Sequence, residues 1–290
     1  MARLFYPGCA LEQSGKPYEV STMAVAKALG LDLPELKDWN CCGATAYMGT
    51  SELWGLALAA RNLALTEQLG ADELVTVCNG CYVVLNKAAK YTQSNPALGA
   101  QVNGALAAAG LTYRGGVRVR HLLDVIVNEV RPETVQAKMR TSLAGLKVAP
   151  YYGCQISRPF DDFDDSERPT TLDGLLEAVE AEVVPYPLKT YCCGGMLMST
   201  SRDAAVTLVY NLLECAEQAG AQCIATTCPL CTMNLEGYRR QVAAKHGKAY
   251  ERLPIFAFTQ LLGVAFGLPR AQTGVDMGLI PAEPALTAYL

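Results

Sequence analysis

Histidine is almost missing from this sequence: His121 and His246 are the only two in 290 residues. A metal site built from imidazoles therefore has little to draw on. Basic charge is also in short supply, since 24 Lys and Arg against 28 Asp and Glu leave 24 − 28 = −4. Without a basic stripe, nucleic acid is not an expected partner. The longest nearly uncharged apolar stretch, Ile255 to Leu268, contains Thr259 and Gln260. It is shorter than the roughly 20 residues that a spanning helix needs, so no transmembrane segment is expected. Met1 to Cys9 enters a strand-like run without the charged and apolar regions of a signal peptide, and a cytoplasmic protein is expected. No G-x-G-x-x-G follows a strand, which leaves bound flavin or nicotinamide unsupported. Gly8 to Pro17 has the outline of a phosphate-binding loop, but its spacing is wrong and Pro17 stands where Ser or Thr belongs.

What the chain does have is cysteine, 12 residues of it, in a globular composition that is 51% hydrophobic. Its length suits two domains of about 145 residues each. The cysteines fall in tight clusters rather than scattered pairs, which favours metal or redox chemistry over a disulfide scaffold.

The clusters recur. Gly70-Ala71-Asp72-Glu73-Leu74-Val75-Thr76-Val77-Cys78-Asn79-Gly80-Cys81 aligns without a gap on Gly220-Ala221-Gln222-Cys223-Ile224-Ala225-Thr226-Thr227-Cys228-Pro229-Leu230-Cys231, an offset of 220 − 70 = 150. Upstream, Cys41-Cys42-Gly43 returns as Cys192-Cys193-Gly194, and Tyr6-Pro7-Gly8-Cys9 as Tyr151-Tyr152-Gly153-Cys154. Three blocks in the same order imply two homologous halves, with the boundary in the polar stretch from Arg131 to Gly145. The expected division is residues 1–135, residues 145–268 and a C-terminal tail over residues 269–290. Five cysteines per half leave Cys215 and Cys223 over, and both read as small buried hydrophobes.

Each half alternates strands and helices, the pattern of α/β architecture. Strands are expected at Arg3 to Tyr6, Glu73 to Val77, Lys147 to Tyr152 and Cys223 to Thr227. Helices are expected at Tyr18 to Leu29, Ser51 to Leu69, Thr171 to Glu180, Arg202 to Ala219 and, as a core helix, Leu253 to Gly267. Each half places its first cysteine and its Cys-x-x-Cys just beyond a strand, where α/β sheets gather function.

A Cys-x-x-Cys alone serves zinc, iron-sulfur or dithiol chemistry. The adjacent pair says more, because neighbouring side chains diverge unless the backbone bends, and Gly43 and Gly194 permit that bend. Tetrahedral zinc uses four ligands and leaves a fifth thiolate spare. His121 and His246 occupy no equivalent repeat positions, so a Cys/His zinc site shared by both halves is excluded.

Cys9, Cys41-Cys42-Gly43 and Cys78-x-x-Cys81, repeated as Cys154, Cys192-Cys193-Gly194 and Cys228-x-x-Cys231, resemble the CCG domain, present twice as in the HdrB-like family, the B subunits of heterodisulfide reductase. The resemblance runs from Leu4 to about Gly267 and includes Tyr151 to Pro159 and Cys228-Pro229-Leu230-Cys231. It implies an α/β fold of two pseudo-symmetric CCG halves, each a small, mainly parallel sheet flanked by helices. It also implies two noncubane [4Fe-4S] clusters, one on Cys9, Cys41, Cys42, Cys78 and Cys81 and the other on Cys154, Cys192, Cys193, Cys228 and Cys231. The implied activity is reduction of a disulfide, or thiol oxidation in reverse, with these ten cysteines catalytic through the clusters and both halves facing one site. The substrate would be a coenzyme- or protein-borne disulfide or thiol. The implied partners are an iron-sulfur electron-transfer subunit of the C type and, further out, a flavin subunit. Alternatives are an electron-relay or quinone-linked subunit of a succinate- or fumarate-type enzyme, and a zinc-stabilised assembly module.

Arg158, four residues beyond Cys154, is a candidate substrate contact. Lys16, Lys189 and Arg202 read as solvated charge, and Asp161 to Glu167 as a solvated acidic loop. His121 and His246 read as packed or partner-facing, and Met196 and Met198 as cover over a cluster.

Overall fold

The computed structural model describes residues 2–44 and 46–290. It is a mixed α/β structure with two wholly parallel sheets, each flanked by helices. Among the described residues no helix is long and apolar enough to cross a membrane.

The chain forms two compact units, the first comprising residues through Cys9 and Asp32–Leu122. Its sheet has the order β1-β2-β3, from Arg3–Tyr6, Glu73–Thr76 and Arg118–His121. Phe5 pairs with Val75 and Val75 with Arg120. Outside β1, Glu35 makes a lone parallel bridge to Phe5. The helix Glu52–Gln68 starts where the Ser51 side chain accepts the Trp54 N–H. With the helix Asn79–Ser94 it buries Leu56, Leu63, Leu85 and Ala88. Within β2, the buried Glu73 carboxylate meets Arg3 at 2.8 Å and Arg120 at 3.4 Å, so one acid ties all three strands. The Arg3 approach is a close ion pair without hydrogen-bond alignment.

The second unit comprises Ala10–Leu31 and Leu123–Leu290. Its sheet has the order β5-β4-β6-β7, from Glu182–Val183, Lys147–Tyr151, Cys223–Thr226 and Ile255–Ala257. β4 and β6 are the counterparts of β1 and β2, and β5 flanks β4 as the Glu35 bridge flanks β1. The helix Lys16–Ala28, which follows the first repeat's opening strand, belongs to this unit. There its Ser21 hydroxyl lies 2.7 Å from that of Thr259, and Tyr18 meets Phe258 edge to face. Residues 269–290 pack in the same unit, where the Gly274 carbonyl accepts the Gln260 side-chain N–H.

Leu253 to Gly267 is a strand followed by a helix rather than the single helix expected. Ile255–Ala257 adds β7 to the sheet and Phe258–Ala265 turns helical, with the Gln260 side chain accepting the Ala257 N–H at the junction. A short apolar run buried on every side carries no period that separates the two. Buried Arg239 donates to the carbonyls of Leu235, Tyr250 and Leu253, and burial pulls its guanidinium down to about 10. Cys223 is fully buried on β6, with its thiol pushed up by burial alone.

Candidate metal centres

In each unit two paired strands, β1 and β2 or β4 and β6, end next to one another and deliver cysteines to the same place. β1 ends at Tyr6 and β4 at Tyr151, three residues before Cys9 and Cys154. β2 and β6 run straight into Cys78 and Cys228, the residues that precede the helices Asn79–Ser94 and Pro229–Gly237. Cys81 and Cys231 sit in the first turns. Both are buried, and hydrogen bonding to Cys42 and to Cys193, respectively, pushes their thiols up.

Between strand end and cysteine the backbone must turn sharply. Gly8 lies at φ +72°, and a Cβ on it would stand 2.8 Å from the Cys81 Sγ. A side chain there would be both strained and in the way of a thiol. Gly43 and Gly194, which follow the adjacent pairs, also lie at positive φ, +77° and +91°. That confirms the bend expected from their place in the sequence.

The five thiols of the first unit form a chain. The Sγ atoms of Cys9 and Cys41 are 3.8 Å apart, those of Cys42 and Cys81 are 3.5 Å apart, and hydrogen bonding links Cys41 to Cys42 and Cys81 to Cys78. The second unit repeats the order as Cys154, Cys192, Cys193, Cys231 and Cys228. All ten are free thiols. Among the described residues no three His, Cys, Asp or Glu side chains group around the position of a single ion. The donors are instead strung in two matching arcs.

Burial divides each arc the same way. Cys42, Cys78 and Cys81 are buried while Cys9 and Cys41 are exposed; Cys193, Cys228 and Cys231 are buried while Cys154 and Cys192 are partly open. Hydrogen bonds from Cys42 and Cys9 hold the Cys41 thiol far below its ordinary range. Those from Cys154 and Cys193 do the same for Cys192. The partners that share those bonds are pushed up: Cys9, Cys42, Cys154 and Cys193. Each arc thus favours one thiolate, at the first cysteine of its adjacent pair.

Two tyrosines missed by sequence reasoning hold the adjacent pairs in place. The Tyr6 hydroxyl donates to the Asn40 carbonyl at 2.8 Å, and the Tyr151 hydroxyl to the Tyr191 carbonyl at 2.7 Å, in each case the residue before the pair. The repeat alignment already matched Tyr6 with Tyr151, which was the available signal. Asparagines add to the grip. Asn62 accepts the Asn40 N–H and donates to its carbonyl, while Asn234 donates to the carbonyls of Cys193 and Gly195.

Replacing Tyr6 or Tyr151 by Phe removes one net hydrogen bond, about 1 kcal/mol. Any metal held by the corresponding arc is then expected to be released to a chelator about fivefold faster. Equal release from wild type and both variants would dismiss the tyrosines as latches.

Arg158 is not free: it donates to the Thr190 carbonyl at 2.6 Å and lies 3.8 Å from Glu167, with its side chain 38% exposed. It therefore ties the Cys154 loop to the backbone just before Cys192. Lys16 pairs with Glu19 at the surface, and Lys189 is held by Asp173 and the Pro169 carbonyl. Arg202 is exposed at the start of its helix. The acidic loop turns inward on itself, as Asp164 and Asp165 accept backbone N–H groups of the same segment. His121 is buried with its ring edge-on to Tyr82, and His246 stacks on Tyr210 with centroids 3.9 Å apart. Met198 is buried, whereas Met196 is exposed.

The cysteine-rich domain family (CCG) matches residues 3–86 and 148–236, so both arcs fall inside matched segments. The chain is a two-copy CCG protein of the heterodisulfide reductase B family. Among the relatives of this CCG protein is the 8-methylmenaquinol:fumarate reductase membrane anchor subunit of Wolinella succinogenes, 35% identical over 280 residues and covering 96% of each chain. The B subunit of the ferredoxin/F420H2-dependent CoB-CoM heterodisulfide reductase of Methanosarcina acetivorans is 32% identical, over 97% of this chain and 94% of that one. The B subunit of the ferredoxin:CoB-CoM heterodisulfide reductase of Methanosarcina mazei is 33% identical, over 94% and 92%. A solved structure of a hypothetical protein from Helicobacter pylori shares the fold, with a TM-score of 0.77 at 15% identity. The superposition spans 96% of this chain and about half, 52%, of that one. The chain is an oxidoreductase subunit of the heterodisulfide reductase type.

Proposed function

We propose that each five-thiol arc binds one [4Fe-4S] cluster of the noncubane kind, and that the pair reduces a disulfide, or oxidises thiols in the reverse sense. The observation that supports this reading is the chain of five sulfurs, repeated in the same order in both units. A single tetrahedral ion takes four donors around one point, whereas a chain of soft thiolates suits several irons at once. When bound, the clusters would supply electrons one at a time and soft metal sites for sulfur.

The protein's own residues set how that chemistry is presented. Buried Cys42, Cys78 and Cys81, with Cys193, Cys228 and Cys231, would anchor the clusters away from water. Cys9 and Cys41, and Cys154 and Cys192, stand at the open side of their own arcs, from which a sulfur substrate can approach. Arg158, while holding the Thr190 carbonyl, keeps a partly exposed cationic side chain for an acidic group on that substrate. The overall change is RSSR′ plus two electrons and two protons to RSH and R′SH. The electrons would come from an iron-sulfur subunit of a cytoplasmic complex, with a flavin subunit further along the chain.

A second reading, a quinone-linked electron relay in a fumarate- or succinate-type enzyme, is favoured by the 35% identity to the menaquinol:fumarate reductase subunit. Anaerobically purified protein should contain about eight irons and as much acid-labile sulfide per chain. Its paramagnetic resonance spectrum should change on adding a thiol or disulfide. Spectra that respond to a quinol but to no sulfur compound would move the assignment to the relay. Zinc in place of iron would make the chain a structural module.

A further inference from the structure

Among the described residues, the two arcs differ at a buried side-chain contact. In the second unit, the Nδ2 of Asn234 donates to the Cys193 Sγ at 3.6 Å while also reaching the carbonyls of Cys193 at 3.2 Å and Gly195 at 3.0 Å. Asn234 is completely buried, and its Oδ1 has no hydrogen-bond partner. The orientation of the amide follows from this: reversing it would put the oxygen against two carbonyl oxygens and a sulfur, with nothing donating to it. The amide is held entirely through its N–H side. Position 84, at the repeat offset of 234 − 84 = 150 on the matching helix, is Val84, whose side chain has no N–H to offer. Cys42, the counterpart of Cys193, meets the Cys81 sulfur as Cys193 meets Cys231, so the amide contact is an addition in the second unit.

An N–H directed at a ligand sulfur draws charge from it and favours the more negative, reduced state, and hydrogen bonds to sulfur are among the levers that set cluster potentials. We propose that Asn234 makes the second unit's cluster the more easily reduced of the two, so that an incoming electron settles there first. This rests on the cluster-binding reading of both arcs. Asn234 is a positioning residue, acting through Cys193.

The test is a potentiometric titration of the full chain, reconstituted with iron and sulfide and followed by paramagnetic resonance. Each signal is assigned from the Cys78→Ser and Cys228→Ser variants. In Asn234→Val the one-electron reduction equilibrium of the second unit is expected to weaken about tenfold, a shift of about 59 mV, with the first unit's couple unmoved. If that variant loads no iron in its second unit, Asn234→Ser takes its place, because a serine hydroxyl is too short to reach the sulfur, and the same shift is expected. Iron retained with an unchanged second couple, or with both couples moved equally, overturns the role of Asn234 and leaves the clusters standing. A wild-type chain that binds no iron in the second unit overturns both together.

Discussion

Cys78→Ala is expected to halve the iron and labile sulfide of the chain, from about eight to about four of each, and to abolish turnover. Cys228→Ala should do the same from the other side. Each cysteine lies within its own arc, at the start of its own helix and in its own compact unit. Loss of one sulfur interrupts one chain of thiols and leaves the other intact. Spectra of the two variants should therefore be complementary, and their sum should resemble that of the wild type. Disulfide reduction moves two electrons and, as proposed, engages both clusters, so half-loaded protein should not retain half the activity. Full activity in both single variants would sink the paired chemistry. Half activity in each would mean that the clusters work independently.

Much of this site can be read in the sequence because the residues that make it are repeated. The strands Arg3–Tyr6 and Cys223–Thr226 and the helices Lys16–Ala28, Glu52–Gln68 and Arg202–Gln218 fall within two residues of where pattern alone puts them. The strands that pattern missed have physical reasons for being missed. Arg118–His121 places two arginines and a histidine in four positions of β3, which does not read as a strand until Glu73 is seen to neutralise Arg120 in the interior. Ile255–Ala257 is three residues long and runs directly into a helix. The tyrosine and asparagine hydrogen bonds join residues 22 to 41 positions apart, and no local periodicity records such distances. Least legible is the place of Lys16–Ala28. The repeat assigns that helix to the first half, while its apolar face, with Tyr18 and Val25 buried, is packed in the second unit. Homology follows descent along the chain, and packing follows where apolar surface can be covered.

The same repeat position should respond to truncation with very different losses in the two units. Glu73 and Cys223 are equivalent, each at the start of the central strand and each buried, but one is an ion-pair hub and the other a small apolar filler. Glu73→Ala removes the carboxylate shared by Arg3 and Arg120 and leaves a nearly fully buried guanidinium without it. Breaking a buried pair from one side costs about 3–5 kcal/mol. Cys223→Ala removes a single sulfur from an apolar site, about 1 kcal/mol for the lost transfer energy and the small cavity. Urea unfolding of the metal-free chain, read by amide exchange in β2 and β6, separates the two. Protection of β2 should collapse in Glu73→Ala, while β6 in Cys223→Ala should shift only slightly. The double substitution Glu73→Met with Arg120→Leu tests whether the acid is there for stability at all. Replacing a buried ion pair by packed apolar groups is often neutral or better, so recovery of β2 protection is the expected result. If protection stays lost, the carboxylate is required for a reason other than balancing Arg120, and Arg3 is the remaining charge it meets.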